Sequence, residues 1–182
     1  MKGNRAVVTA VVVVVLIGAG WWLFGRGGRS DAVNLLEQFP QATKAPGEAK
    51  FEIVDANLAG ETHKAISAAA PTRITYKVRV PDDAWLRVWV GMKPESWTVE
   101  NDGTYFLVGL SDGKTFEQLF TQHVHPFANQ GDRKWIPVYV DLSAYAGEEM
   151  QLIFNTRSGV EGKSSNYANL MPLWGEPELV IR

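Results

Sequence analysis

The 182-residue chain contains no cysteine, only three histidines, and a formal net charge close to zero, at −2. Without cysteine the protein has no disulfide, no thiol nucleophile, no c-type haem attachment and no Cys-ligated zinc or iron–sulfur cluster. A lipid-modified N-terminal cysteine is excluded too, so any membrane attachment must come from the chain itself. The 46% content of hydrophobic residues excludes a wholly disordered chain and fits one globular domain with a smaller segment.

Charge is divided unevenly along the chain. Residues 1–29 contain four basic residues and no acidic one, whereas residues 30–182 contain the other 14 basic residues and all 20 acidic ones. The long segment therefore carries a net charge of −6. We do not expect it to bind nucleic acid, because neutralising phosphates needs a clustered basic face.

Common catalytic and phosphate-binding motifs are also missing. There is no Gly-x-Ser-x-Gly nucleophile elbow, and the glycine-rich residues 25–29 are not followed by the Lys-Ser/Thr pair of a P-loop. Glu148 and Glu149 are adjacent, so on a strand they point to opposite faces and do not form a two-carboxylate site. We predict that the protein is not an enzyme and has no catalytic cofactor.

An uncharged run of twenty residues, 6–25, lies close to the N-terminus. As a helix rising ~1.5 Å per residue it spans roughly 30 Å, the thickness of the hydrocarbon core of a bilayer. Basic residues precede the run, and two tryptophans stand where an aromatic belt meets the lipid headgroups: Lys2, Arg5, Trp21 and Trp22. The pattern predicts a single transmembrane helix within an anchor segment, residues 1–29.

A cleaved signal peptide is the alternative that the charged start and the apolar core leave open. The apolar run favours the uncleaved anchor, because it continues through the tryptophans to full membrane length. The short N-terminal tail and the long C-terminal part favour a C-terminal domain in the periplasm or outside the cell. The lipid bilayer is then one partner of the chain.

Residues 30–50 read as a short helix followed by a linker. Ser30 is a capping residue, and Val33, Leu36 and Phe39 recur at helical spacing. A Pro-Gly pair in the polar stretch that follows indicates a turn.

From residue 51 onward the pattern changes to short β-like runs that are separated by turn residues. The clearest run is Ile74–Val80, which alternates apolar and polar residues as a half-buried antiparallel strand does. Eight further strands are predicted: Phe51–Ala56, Thr62–Ala69, Trp85–Met92, Tyr105–Ser111, Phe116–Val124, Trp135–Leu142, Met150–Thr156 and Glu178–Ile181. We therefore expect an all-β domain over residues 51–182, an antiparallel β-sandwich of the jelly-roll type.

Two segments near the C-terminus carry a family resemblance. Trp135–Thr156 and Trp174–Val180 contain a strand, a tight turn, an apolar strand and a Trp-Gly-x-Pro corner, in that order. This pattern resembles the C-terminal half of galactose-binding-like jelly-roll domains, which include carbohydrate-binding modules. The resemblance implies that Trp135 and Trp174 are buried. It also leaves open a structural calcium ion held by loop carboxylates, for which the sequence assigns no ligands.

Exposed aromatic rings hold sugars in many carbohydrate-binding modules of this kind. Trp97 lies in a loop-like stretch and is the best exposed candidate among the tryptophans of the body. Packing in the core or at an interface is the competing interpretation for these tryptophans.

His123 and His125 form the only close histidine pair. Two residues apart on a strand, their side chains share one face, which is the spacing for a zinc, copper or nickel site. The alternative is a pair of structural histidines at the end of a strand.

The polar loop of residues 157–169 is the remaining candidate contact region, with Asn166 and Tyr167 as partner- or ligand-contacting residues. Long loops at one end of a sandwich are where binding function usually concentrates.

Two functions compete at this point. The first is a non-catalytic, single-pass accessory or scaffold subunit of a larger membrane complex, such as a photosynthetic or respiratory assembly, whose β-domain contacts the other subunits. The second is a carbohydrate-binding module anchored at the cell surface, with a glycan as its partner. The acidic body and the missing catalytic motifs favour the first, and the family resemblance favours the second.

Overall fold

A computed structural model of the chain describes residues 32–159 and 170–182. These residues form eleven strands, one helix and four short 3-10 turns. The strands are β1 (Val33–Asn34), β2 (Thr43–Ala45), β3 (Glu52–Leu58), β4 (Glu61–Ser67), β5 (Thr72–Arg79), β6 (Ala84–Met92), β7 (Thr104–Ser111), β8 (Phe116–Val124), β9 (Ile136–Asp141), β10 (Glu149–Ser158) and β11 (Pro172–Ile181). The helix is α1 (Leu35–Gln38), and the 3-10 turns are Phe39–Gln41, Pro94–Ser96, Gln130–Asp132 and Ser143–Tyr145.

The strands pair into two antiparallel sheets. In the six-stranded sheet the order is β3-β4-β11-β6-β9, and β1 also pairs with β11. In the five-stranded sheet the order is β2-β5-β10-β7-β8. The nine predicted strands correspond to β3 to β11, so the prediction of an antiparallel all-β domain is confirmed.

The stretch predicted as a short helix and linker also contributes to the sheets. Asn34 caps a single helical turn, because its side-chain oxygen accepts hydrogen bonds from the backbone N–H groups of Leu36 and Glu37. β1 pairs with β11, and β2 pairs with β5, so this stretch adds one short strand to each sheet. The helix is shorter than its apolar spacing predicts, because Val33 and Asn34 pair with β11 before it begins and a 3-10 turn that contains Pro40 follows it.

Side chains alternate between the two faces of each sheet along the strands, and one face of each sheet packs against the other sheet. On the inner faces Trp174 of β11 lies 4.9 Å from Phe106 of β7 and 4.8 Å from Phe154 of β10, measured between ring centroids. Tyr76 of β5 packs against Phe154 from the other side. These rings join the two sheets into a β-sandwich, and burying each of them contributes about 1.5–3 kcal/mol or more.

A second, smaller apolar cluster lies on the outer face of the six-stranded sheet. The Trp135 ring covers Gly175 there, where an added Cβ would lie 3.0 Å from the ring. Trp135 and Trp174 are both 3% exposed, so the burial that the family resemblance implies is confirmed. The cluster also contains Ala56, Leu58, Ala65 and Leu173.

No helix among residues 32–159 and 170–182 combines the length and the apolar character that a membrane span needs. The predicted span, with Lys2, Arg5, Trp21 and Trp22, lies outside the described residues and stays a prediction.

The Tyr76 hydroxyl yields a testable expectation. It is buried, no described residue hydrogen bonds to it, and burial raises the pKa of Tyr76 well above its usual range. We expect Tyr76→Phe to raise the free energy of unfolding by about 1 kcal/mol, because the variant no longer buries an unpaired hydroxyl.

The dependence of stability on pH at alkaline pH provides a second test of the same variant. In the wild type, stability falls as the pH rises past about 10, because the unfolded chain releases the tyrosine proton more readily than the folded one. Tyr76→Phe should lose this part of the pH dependence. Urea unfolding at neutral and alkaline pH measures both effects, and a variant clearly less stable than the wild type at neutral pH would contradict the account.

Candidate functional site

The outer face of the five-stranded sheet carries the candidate site and is called here the Phe116 face. It consists of the side chains that alternate outward on four neighbouring strands. They are Arg73, Thr75, Lys77 and Arg79 of β5, Glu149, Gln151, Ile153, Asn155 and Arg157 of β10, Tyr105, Leu107, Gly109 and Ser111 of β7, and Phe116, Gln118, Thr121 and His123 of β8.

Phe116 is the dominant apolar group of this face. Its side chain is 56% exposed, the largest fraction among the exposed large hydrophobic residues of the described segments. The ring lies over Gly109 of the neighbouring strand, where an added Cβ would stand 2.4 and 2.5 Å from two ring carbons. The register between β7 and β8 shifts next to Gly109, and glycine is the residue that permits so close an approach. The result is an aromatic ring supported by backbone and open to solvent.

Side-chain amides and hydroxyls surround the ring. Ser111 pairs with Phe116 on one side and with Gln151 on the other, and Gln118 pairs with Gly109. An open cavity of about 400 Å³ lies beside this row. Its polar lining residues are Lys77, Arg79, Ser111, Asp112, Glu149 and Gln151. Among these residues Gln151 carries an amide, which both donates and accepts hydrogen bonds, as a ligand that is rich in hydroxyls requires.

The turn between β7 and β8 holds one wall of the cavity. Asp112 Oδ1 accepts hydrogen bonds from the backbone N–H groups of Lys114 (2.8 Å) and Thr115 (2.7 Å) and from the Thr115 hydroxyl. These bonds lower the pKa of Asp112, because they stabilise its ionised form. Ser111 Oγ donates to the Thr115 carbonyl at 2.6 Å. Hydrogen bonds from its own side chains thus hold the turn in place at the edge of the cavity.

The histidine pair lies at the loop end of the same face. The ring Nε2 atoms of His123 and His125 lie 3.0 and 2.6 Å from the backbone carbonyls of Asp102 and Asn101. Tyr105 stacks on His123 at 4.5 Å. Among the described residues no group of three or more His, Cys, Asp or Glu side chains is arranged to hold a metal ion, calcium included. Metal binding by the pair stays a prediction, while the observed contacts hold the C-terminal end of β8 against the segment that precedes β7.

Trp97 is packed more tightly than its loop-like context predicts. Its indole Nε1 donates to the Met92 carbonyl at 2.9 Å, and its ring packs against both apolar clusters. Arg133 donates to the Trp97 carbonyl at 3.1 Å. Contact of Trp97 with a ligand stays a prediction, as does contact by Asn166 and Tyr167, which lie outside the described residues.

Sequence reasoning places Phe116 correctly on a strand but does not single it out. The available signal is Gly109, an isolated glycine inside the apolar run of β7. Such a glycine indicates a bulge or the close approach of another group. Here that group is the Phe116 ring.

The position of the Phe116 ring over Gly109 can be tested by substituting the glycine. We expect Gly109→Ala to lower the free energy of unfolding by about 2 kcal/mol, because the new methyl collides with the ring and with the Glu117 carbonyl. In a Phe116→Ala background the same change should cost about 1 kcal/mol less, since only the carbonyl contact remains. Urea unfolding of the four proteins measures the coupling.

Gly47→Ala is the matched control, because no heavy atom lies within 4 Å of the Cβ it would add. An equal effect of Gly109→Ala with and without the Phe116 ring would show that the ring does not lie over the glycine.

The sequence comparisons find one relative. No family model matches the chain. An uncharacterised protein of Archaeoglobus fulgidus is 29% identical over 156 residues, which cover 83% of this chain and 36% of that protein. The chain thus spans about a third of the length of this relative.

Solved structures show the fold. A CBM51 module of the GH95 protein of Clostridium perfringens, in complex with methyl-galactose, aligns with a TM-score of 0.54 and 22% identity over 82% of this chain and 99% of that one. The CBM51-2 and INT domains of ZmpB from the same organism align at 0.53 and 17% identity, over 76% and 29% of the two chains. The K1 cleaved adhesin domain of Lys-gingipain from Porphyromonas gingivalis aligns at 0.52 and 16% identity, over 78% and 89%. The described residues have a β-sandwich fold similar to that of these domains.

Proposed function

We propose that the chain is a non-catalytic carbohydrate-binding module that holds a glycan on the Phe116 face. The observation that carries the proposal is the Phe116 ring, exposed to solvent and supported from below by Gly109. A pyranose ring offers an apolar face of C–H groups and an edge of hydroxyls. The Phe116 ring can pack on the C–H face, and the amides of Gln118 and Gln151 can form hydrogen bonds with the hydroxyls.

The fold supports this proposal. The Clostridium perfringens module with a similar fold was solved with methyl-galactose bound, and two of the three structures compared above contain carbohydrate-binding modules. Because fold alone does not determine function, the argument rests on the side chains of the Phe116 face.

The proposal takes the second of the two sequence-based hypotheses. Nothing in the described residues favours a subunit of a membrane complex over a glycan-binding module. Together with the predicted anchor in residues 1–29, the proposal describes a module that is displayed from a membrane toward glycans in the periplasm or outside the cell.

Binding to a glycan array by the full 182-residue chain, kept in mild detergent, tests the proposal. For a glycan that binds, we expect Phe116→Ala to weaken binding about ten-fold or more, because burying the ring against a sugar is worth about 1.5–3 kcal/mol. Isothermal titration calorimetry measures the difference.

Tyr139→Ala is the matched control. Tyr139 is 50% exposed on the outer face of the six-stranded sheet, so its removal should leave glycan affinity within about two-fold. An array without any binding, or equal effects of the two variants, would refute the proposal.

A further inference from the structure

Four basic side chains stand on the Phe116 face, and none of them forms a salt bridge within the described residues. They belong to the two adjacent strands β5 and β10. They are Arg73, Lys77, Arg79 and Arg157. Since residues 30–182 carry a net charge of −6, this strip opposes the charge of the domain that bears it. A local excess of one sign on a surface of the other attracts ligands of complementary charge.

The strip lies within reach of a ligand that covers the Phe116 ring. One row of the sheet runs from Lys77 through Gln151 and Ser111 to Phe116. The ring extends back over Gly109 of β7, so two strand spacings, about 10 Å, separate it from β5. The cavity beside Ser111 and Gln151 of this row is lined by Lys77 and Arg79, whereas the Phe116 ring is not part of its lining. A glycan of two or more sugars that stacks on the ring and extends along this row reaches these cations.

The acidic groups of this region do not neutralise the strip. Glu149 pairs in register with Arg79, and Asp112 stands at the edge of the cavity, but neither lies within salt-bridge distance of a cation in the described residues. Asp112 Oδ1 is occupied by three hydrogen bonds of its own turn. The cavity itself is lined by two cations and two acids, and the positive excess of the face comes from Arg73 and Arg157, which do not line the cavity.

We infer that the ligand is an acidic glycan, one that carries carboxylate or sulfate groups on its sugars. This inference rests on the proposed function and names the ligand class of the same site. A sugar ring packs on Phe116, and its acidic substituents, or those of the next sugar, pair with Lys77 and Arg79. Guanidinium groups bind carboxylate and sulfate oxygens through two parallel hydrogen bonds, which suits this arrangement.

The experiment compares glycans that differ only in charge, with the full chain in mild detergent. The probes are oligogalacturonides, alginate oligosaccharides and heparin oligosaccharides, each beside its methyl-esterified or desulfated counterpart. We expect the acidic member of at least one pair to bind about ten-fold more tightly at low salt, and the advantage to shrink at high salt.

Variants locate the effect on the strip. Lys77→Gln and Arg79→Gln should each remove most of the advantage of the acidic glycan, weakening its binding far more than that of its neutral counterpart. Lys64→Gln is the matched control, because Lys64 is an exposed lysine on a strand of the other sheet. Phe116→Ala should weaken both members of a pair.

Each outcome decides a different claim. If neutral glycans bind as well as acidic ones, and Phe116→Ala weakens them, the acidic preference is wrong and the proposed function stands. If polyglutamate competes as well as the acidic glycan and Phe116→Ala has no effect, the face binds anions in general and the inference fails. If no glycan binds, both the inference and the proposed function fail.

Discussion

The contact of the two sheets at Trp174 is the constraint on which the other features of this domain depend. The ring projects from the six-stranded sheet and packs against Phe106 and Phe154 of the five-stranded sheet, so one aromatic group holds both layers together. Since most of the apolar surface is buried between the layers, the two outer faces can differ in chemistry.

The two outer faces differ in how their aromatic rings are packed. On the six-stranded sheet Trp135 covers its neighbours and closes a second apolar cluster, and Arg182 and Arg87 lie over the rings of Trp85 and Trp89. The tryptophan rings there thus have partners within the protein. On the five-stranded sheet the large ring of Phe116 is left open, and the four cations of β5 and β10 form no salt bridge within the described residues. This open ring is the feature on which the proposed glycan site rests.

The sequence allows the strands to be predicted more fully than the site. Alternation in runs such as Ile74–Val80 reports which side chains point inward, because that property depends on the strand alone. The position of the Phe116 ring depends on the register between β7 and β8, including the shift beside Gly109. This register cannot be predicted from a local sequence pattern. The packing of Trp97 likewise cannot be predicted from its loop context, because its indole reaches the Met92 carbonyl and two apolar clusters that are assembled from distant segments.

The central claim is that a glycan lies on the Phe116 face. The most direct measurement maps backbone amide chemical shifts of the full chain by NMR during titration with the tightest glycan of the array. The account predicts that the largest changes fall on Gly109, Phe116 and Gln151, with little change at Trp85 or Tyr139 on the opposite sheet. Changes concentrated on the six-stranded sheet would contradict it.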